Sequence, residues 1–379
     1  MIKLEKLSKV FDTPSGPVIA ADQINMTVEQ GEICVLLGPS GCGKTTTLKM
    51  INGLIPKTSG KILVAGKDTD SLNVVELRRS IGYVIQQIGL FPNMTIEDNI
   101  CVVPDLLGWD KKKARGRAGE LLEMVNLDPA IFLKRYPKEL SGGQQQRVGV
   151  IRALAADPPV LLMDEPFGAI DPINRAVIQD EFLKMQGEIR KTIAFVSHDI
   201  DEAIKMADKI AIFRDGHLEQ FAAPDDILAR PANDFISSFV GKDRTLKRLS
   251  LLSVGEVMYG DQIRVVAEDS VEKARQLMSD AGHKNIVMVG PRGRARAFLH
   301  YNDIVGAVGR VEEHRQALPA TVNVQDDLRT AVSTMFRHDV TWLACVDDDG
   351  YFKGHITQKA ISHALGATYG DSKGEKGRS

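Results

Sequence analysis

Gly38-Pro39-Ser40-Gly41-Cys42-Gly43-Lys44-Thr45 follows an apolar run, Ile33 to Leu37, and leads through Thr46 into a helical pattern. This glycine spacing, closed by Lys-Thr between a strand and a helix, is the pattern of a phosphate-cradling loop. Its glycines let backbone N–H groups close around phosphate oxygens, and the helix that follows adds the positive end of its dipole. Lys44 is then placed to reach the β- and γ-phosphates of a nucleotide, and the Thr45 hydroxyl to ligate Mg²⁺. Cys42 occupies a free position of the pattern and reads as a small filler. The alternative, a glycine-rich turn of some other α/β enzyme, is set aside because pattern and context are both complete.

Two further apolar runs, Val160 to Met163 and Thr192 to Val196, read with Ile33 to Leu37 as buried strands separated by helical patterns. Such alternation implies a parallel α/β sheet, whose ligands sit beyond the carboxyl ends of the strands. The second run delivers Asp164 and Glu165 there. Asp164 is expected to hold Mg²⁺ and Glu165 to polarise an attacking water. An acidic pair after a strand is a common surface feature by itself and gains its meaning from the phosphate loop. The third run delivers Val196-Ser197-His198-Asp199, which puts His198 where the γ-phosphate would lie.

A net charge of −2 over 379 residues gives no basic surplus to suggest nucleic acid as the main partner. The four cysteines, Cys34, Cys42, Cys101 and Cys345, have neither metal-site nor disulfide-framework spacing. The opening Met1-Ile2-Lys3-Leu4-Glu5 does not read as a signal peptide, and no apolar run approaches the ~20 residues of a membrane helix. Any service to a membrane is therefore expected from its surface.

Leu140-Ser141-Gly142-Gly143-Gln144 narrows the choice among nucleotide enzymes. It ends 20 residues before Asp164 and opens a helical run from Gln145 to Ala156. Serine and two glycines at a helix N-terminus make a second anion site, or else an ordinary cap. Two phosphate sites in one domain suggest two copies face to face, one chain's cap closing the other's nucleotide. Residues 1–240 closely resemble the ATP-binding subunits of ABC transporters, and Leu140 to Gln144 match that family's signature without change. The resemblance implies that Phe11 stacks on adenine, with core packing as the alternative reading. It implies that Gln86 links Mg²⁺ and the attacking water to a transmembrane partner, and that Asp171 couples the two sites of a dimer. It implies ATP and Mg²⁺ as cofactors, a homodimer of ATPase subunits, transmembrane permease subunits and a substrate-binding protein, and a peripheral place on the cytoplasmic face of the inner (plasma) membrane. Ile88 to Asn99 holds exposed-looking apolar residues and is the expected contact for the permease.

Beyond a charged linker at 241–252, Asp269 onward aligns without gaps with Asp326 onward at an offset of 57 residues. Each copy reads as helix, strand, glycine turn, strand, helix, giving one repeat over 253–310, a second over 311–366, and a disordered tail from 367. The copies resemble CBS domains. The Thr and Asp that hold nucleotide in such domains are split here, as His300 and Asp303 in one copy and Thr357 and Ala360 in the other. Arg292, Arg294 and Arg296 form a basic turn, either a solvated loop or a contact for anionic lipid. The expected fold is thus an α/β P-loop NTPase (ABC ATPase) domain, with a mostly parallel core sheet and a helical subdomain, followed by an α+β tandem CBS pair. That combination resembles the ATPases of osmoprotectant importers for glycine betaine, choline or carnitine. The rival readings are a soluble ABC ATPase acting on nucleic acid or ribosomes, and an importer ATPase for another small solute.

Overall fold

The computed structural model describes residues 1–370 except 87, 88, 169 and 262, and divides into two compact units. The first comprises Met1–Ile227 and Pro231–Phe239; the second holds Leu228–Arg230 and the chain from Val240.

In the first unit the three apolar runs become the strands Ile33–Leu37, Val160–Asp164 and Thr192–Val196, each buried at every residue. They lie side by side in a six-stranded sheet whose order is His217–Ala222, Lys209–Arg214, Ile33–Leu37, Thr192–Val196, Val160–Asp164, Ile81–Val84. Every pairing is parallel except that of His217–Ala222 with Lys209–Arg214. A strand buried on both faces needs no polar alternation, which is why these runs are continuously apolar. A second, antiparallel sheet of Gly16–Val28, Ile2–Thr13, Ser59–Val64 and Lys67–Asp68 shares one core with the first. Ile2, Leu4, Ile24 and Ile62 there cluster with Leu36, Ala194 and Val196.

Helices Ile96–Leu106, Lys111–Met124 and Gly142–Leu154 pack on one another as the helical subdomain. Ile96 and Asn99, expected among exposed residues, are instead buried. Asn99 accepts from the Phe91 N–H and donates to the carbonyls of Phe91, Met94 and Thr95, so it holds the loop before the helix from inside. Phe91 and Met94 remain exposed, while Gln87 and Ile88 lie outside the described residues.

The second unit repeats its strand pair and the helix before it. Strands Asn285–Val289 and Ala295–His300 recur 57 residues later as Trp342–Val346 and Phe352–Thr357, with a register irregularity at the same place in each pair. Helix Val271–Ala281 recurs as Leu328–Arg337. The copies meet through Val287, Val289, Trp342, Ala344 and Phe352, where the Phe298 and Trp342 rings lie 5.1 Å apart. Four expectations need correction. The segment 241–252 is not a plain linker: it contains helix Arg244–Arg248, and Leu249 is buried with Val254 in the core of the second copy. Conversely, Val311 lies in the core of the first copy, and Gln316–Ala317 pairs with its strand Ala295–His300. Each copy thus borrows chain from the other's side of the expected boundary, because one copy is too small to bury its own core. The first copy closes on a 3₁₀ turn, Tyr301–Ile304, where a helix was expected, whereas Gln358–Gly370 is helical past the expected start of the tail. The remainder of the expected tail, from 371, lies outside the described residues.

Trp342→Ala removes the ring that joins the two copies. It is expected to destabilise the second unit by about 3–5 kcal/mol, read as a lower denaturant midpoint of that unit, with the first unit's transition unmoved.

Candidate functional site

Register brings the site together. Leu36 pairs with Val196, Val196 with Asp164, and Met163 with Val84, so four strands end almost level. The ladder runs one residue further through Ser197 N–H to Leu36 O and Glu165 N–H to Val196 O, both 3.1 Å. The chain then leaves into the four loops that carry Gly38 to Lys44, Glu165, His198 and Gln86.

In the first loop Gly38 and Gly43 have φ of 145° and 102°. A Cβ would stand 2.2 Å from the Phe213 carbonyl oxygen at Gly38 and 2.0 Å from that of Ala20 at Gly43, so both conformation and packing demand glycine. Pro39, Ser40 and Gly41 are exposed along the rim, and Thr46 is half-buried in the helix Lys44–Ile51 behind it. Lys44 is only 7% exposed, and its ammonium donates to the carbonyls of Gly38 at 2.7 Å and Pro39 at 2.8 Å. It therefore sits inside the loop it would share with phosphate. Cys42 is buried beside it, and burial above all pushes its thiol up, which suits a filler better than a thiolate.

The Thr45 hydroxyl donates to Asp164 Oδ1 at 3.0 Å. Burial raises the Asp164 carboxyl, partly opposed by that hydrogen bond and by Lys49. One hydroxyl and one carboxylate oxygen side by side are the hard donor set Mg²⁺ takes when substrate phosphates and water supply the rest, so these two residues fit the ion. Glu165 turns with φ 47°, out of the strand's line. Its Oε2 accepts from Gln86 Nε2 at 2.9 Å, and its Oε1 lies 3.6 Å from His198 Nδ1. Gln86 therefore hydrogen-bonds the expected general base. Phe11 is 36% exposed, with the Lys9 ammonium 4.6 Å from its ring centroid, so it is not a core residue.

Ser141 caps the helix Gly142–Leu154. Its hydroxyl accepts from the Gln144 N–H at 3.4 Å, and Gln144 Oε1 accepts from the Ser141 N–H at 2.9 Å. The cleft in front of this cap is lined by Ser141, Gly142, Gly143 and Gln144 together with Arg147, Asp171 and Asn174, and by no residue of the phosphate loop. Asp171 itself caps helix Pro172–Ile189, accepting from Asn174 N–H and Nδ2 at 3.1 and 2.8 Å.

Sequence reading missed the supports of this site. Gln146, buried one turn into the signature helix, donates to the Pro166 carbonyl directly after Glu165, and so ties cap to carboxylate loop. Glu202 accepts from Ser197 and from Gln179 Nε2 beneath His198, and burial raises its carboxyl. Phe167 meets Phe182 and Phe195 edge-on at 5.9 and 6.2 Å, fixing the loop after Glu165. A glutamine within Gln144-Gln145-Gln146 carries no sign of which one faces inward until the helix is docked.

A family model for the ABC transporter domain matches residues 21–168, and one for the CBS domain matches residues 318–367, the second copy of the repeat. The osmoprotectant import ATP-binding protein OsmV of Salmonella typhimurium is 54% identical over 96% of each chain. The chain belongs to the ABC transporter ATP-binding proteins. The glycine betaine/carnitine/choline transport ATP-binding protein OpuCA of Bacillus subtilis is 43% identical over 95% of each chain. Among solved structures, a bacterial ABC transporter cassette captured as a dimer matches with TM-score 0.54 and 34% identity, over 59% of this chain and 99% of that one. The same cassette bound to ADP and Pi after hydrolysis also matches with TM-score 0.54, at 33% identity over the same shares. The expected ABC ATPase fold is thereby borne out, and the chain is an ABC ATPase, a class that binds adenine nucleotide. Among its described residues no helix is long and apolar enough to cross a membrane.

Gly43→Ala is expected to cost at least about tenfold in ATP affinity, because a methyl cannot share space with the Ala20 carbonyl. Fluorescent-nucleotide titration reads this, with circular dichroism showing the sheet intact.

Proposed function

We propose that two copies of this ABC ATPase clamp ATP between them and drive uptake of a quaternary-amine osmoprotectant through membrane permease subunits. The observation that carries the clamp is the separation, within one chain, of the Ser141 cleft from the Lys44 loop. A second phosphate-binding cap unused by its own phosphate loop is explained if it closes the nucleotide of a facing copy, with Asp171 beside it to couple the two sites.

In each site Lys44 and the backbone of Gly38 to Gly43 hold the phosphates, Phe11 stacks on adenine, and Thr45 and Asp164 hold Mg²⁺. The ion would neutralise charge developing between the β- and γ-phosphates. Glu165 takes the proton of the attacking water, and His198 donates to the γ-phosphate. Gln86, hydrogen-bonded to Glu165 when no nucleotide intervenes, reports the occupied site to the groove behind it. That groove presents Ile85 and Phe91 exposed, with the Arg152 guanidinium 4.6 Å from the Phe91 ring centroid, and is suited to a permease helix on the cytoplasmic face of the membrane. The work comes from the difference in ATP affinity between closed and open dimers.

The osmoprotectant assignment follows the relatives, whose names specify glycine betaine, carnitine and choline. A substrate-binding protein completes the proposed assembly. The CBS pair is read as regulatory. Its split nucleotide pattern argues against adenine nucleotide there, since Asp303 accepts from Gln316 and the Thr357 hydroxyl caps the Ala360 N–H. Arg294 lies over Tyr351 at 5.8 Å, while Arg292 and Arg296 complete a basic turn suited to anionic lipid. The nucleic-acid alternative is not favoured by the relatives or by the net charge.

Glu165→Gln is expected to slow ATP turnover by about 10²–10⁴-fold while leaving ATP binding intact. It should accumulate an ATP-bound dimer, read as a doubled mass by light scattering; an ATP-saturated variant that stays monomeric would refute the clamp. In vesicles with the permease, glycine betaine, choline or carnitine should be taken up only with ATP. Failure of all three would remove the substrate assignment and leave the ATPase reading in place.

A further inference from the structure

Asp261, His283 and His355 meet inside the second unit, far apart in sequence and outside everything described above. One carboxylate oxygen of Asp261 and one ring nitrogen of each histidine lie within 4.8 Å of one another. His283 Nε2 is 2.5 Å from Asp261 Oδ2, and His355 Nδ1 is 3.9 Å from Asp261 Oδ1. The two imidazoles stand edge to face with centroids 4.4 Å apart, and Tyr259 stacks on His355 at 5.1 Å. Both histidine side chains are largely enclosed, 17% and 12% exposed, whereas Asp261 keeps 35% exposure and opens the cluster to solvent.

The ligands stand on well-held backbone. His355 lies on strand Phe352–Thr357 and exchanges N–H···O bonds of 2.8 and 3.1 Å with Tyr259, two residues before Asp261. His283 follows the end of helix Val271–Ala281, its N–H bonded to the Met278 carbonyl at 2.9 Å. The two histidines come from different copies of the repeat, yet Val340 and Phe298 stand at the equivalent positions of the opposite copies, so this cluster is not a by-product of repeat symmetry.

We propose that Asp261, His283 and His355 form a site for one divalent transition-metal ion of the Zn²⁺ class that staples the two CBS copies together. Two imidazoles and one carboxylate are a borderline donor set suited to Zn²⁺, Co²⁺ or Ni²⁺, whereas Mg²⁺ and Ca²⁺ take oxygen ligands. Three protein ligands leave a position for water on the exposed side of Asp261. The His355 ring makes no hydrogen bond to a described residue, which leaves its nitrogen lone pair available. Bonds of about 2.0–2.1 Å require the donors to draw in by roughly 1 Å, within reach of small side-chain rotations, and the ion replaces the His283–Asp261 hydrogen bond. The ligands reach the ion from the segment entering the first copy, from that copy's helix, and from a strand of the second. Occupancy would therefore stiffen the pair as a unit, a means for a regulatory module to register metal.

The test uses the full-length chain, stripped with chelator and free of nucleotide and Mg²⁺, titrated with Zn²⁺ by calorimetry and with Co²⁺ by visible absorption. One equivalent of Zn²⁺ is expected, with Co²⁺ giving ligand-field bands that Zn²⁺ bleaches. Asp261→Asn should weaken binding about tenfold, and the double variant His283→Gln/His355→Gln by about 100-fold or more, both retaining wild-type circular dichroism and ATP turnover. Single His283→Gln serves if the double variant misfolds. Absence of stoichiometric binding by the wild type overturns the proposal. So does undiminished Zn²⁺ binding by a folded histidine variant, which would place the ion elsewhere. Neither readout depends on ATP hydrolysis, so the clamp and the metal site fail separately.

Discussion

Parallel hydrogen bonding among Ile33–Leu37, Thr192–Val196 and Val160–Asp164 is the constraint on which everything else in the first unit depends. A parallel ladder fixes which residues stand level, and here the level row is Leu36, Val196 and Asp164. A slip of one residue in any pair would turn its buried side chains to the other face and move Lys44, Glu165 or His198 out of reach of the others. Complete burial of the three strands opposes such a slip, since every alternative register must expose apolar surface or bury polar groups without partners.

The site charges are held in compensated form. Lys44 spends its ammonium on two loop carbonyls, Asp164 is bonded by Thr45, and Glu165 by Gln86. In the proposed site, a nucleotide with Mg²⁺ would exchange these contacts for its own, and the loops would keep their shape while their partners change. On the proposed clamp, the energy of that exchange would differ between a lone chain and a pair of facing chains, a difference a transporter ATPase can convert to motion. Gln146 links the signature helix to the loop after Glu165, and so joins the cap proposed to serve one nucleotide to the carboxylate proposed to act on the other.

The second unit follows a different logic. Its two copies each bury too little alone, and they answer by exchanging flanking segments and by sharing the Phe298–Trp342 contact. Such a pair is sensitive to anything bound across its seam, and the Asp261, His283 and His355 cluster lies across it.

Local patterns carried much of this in the linear chain. The phosphate loop, the acidic pair and the signature are contiguous motifs whose chemistry depends on spacing along the backbone, and a 57-residue self-match is legible without coordinates. The three buried strands announce themselves because a strand covered on both faces is apolar throughout. Tertiary structure alone decided what depends on distant residues meeting. It turned Gln86 toward Glu165, buried Asn99 as the internal brace of a loop expected to be exposed, and gave Leu249 and Val311 to cores on the far side of their expected boundaries. It also joined two histidines 72 positions apart, which no motif could link because side-chain proximity across a repeat seam leaves no periodic trace in the chain.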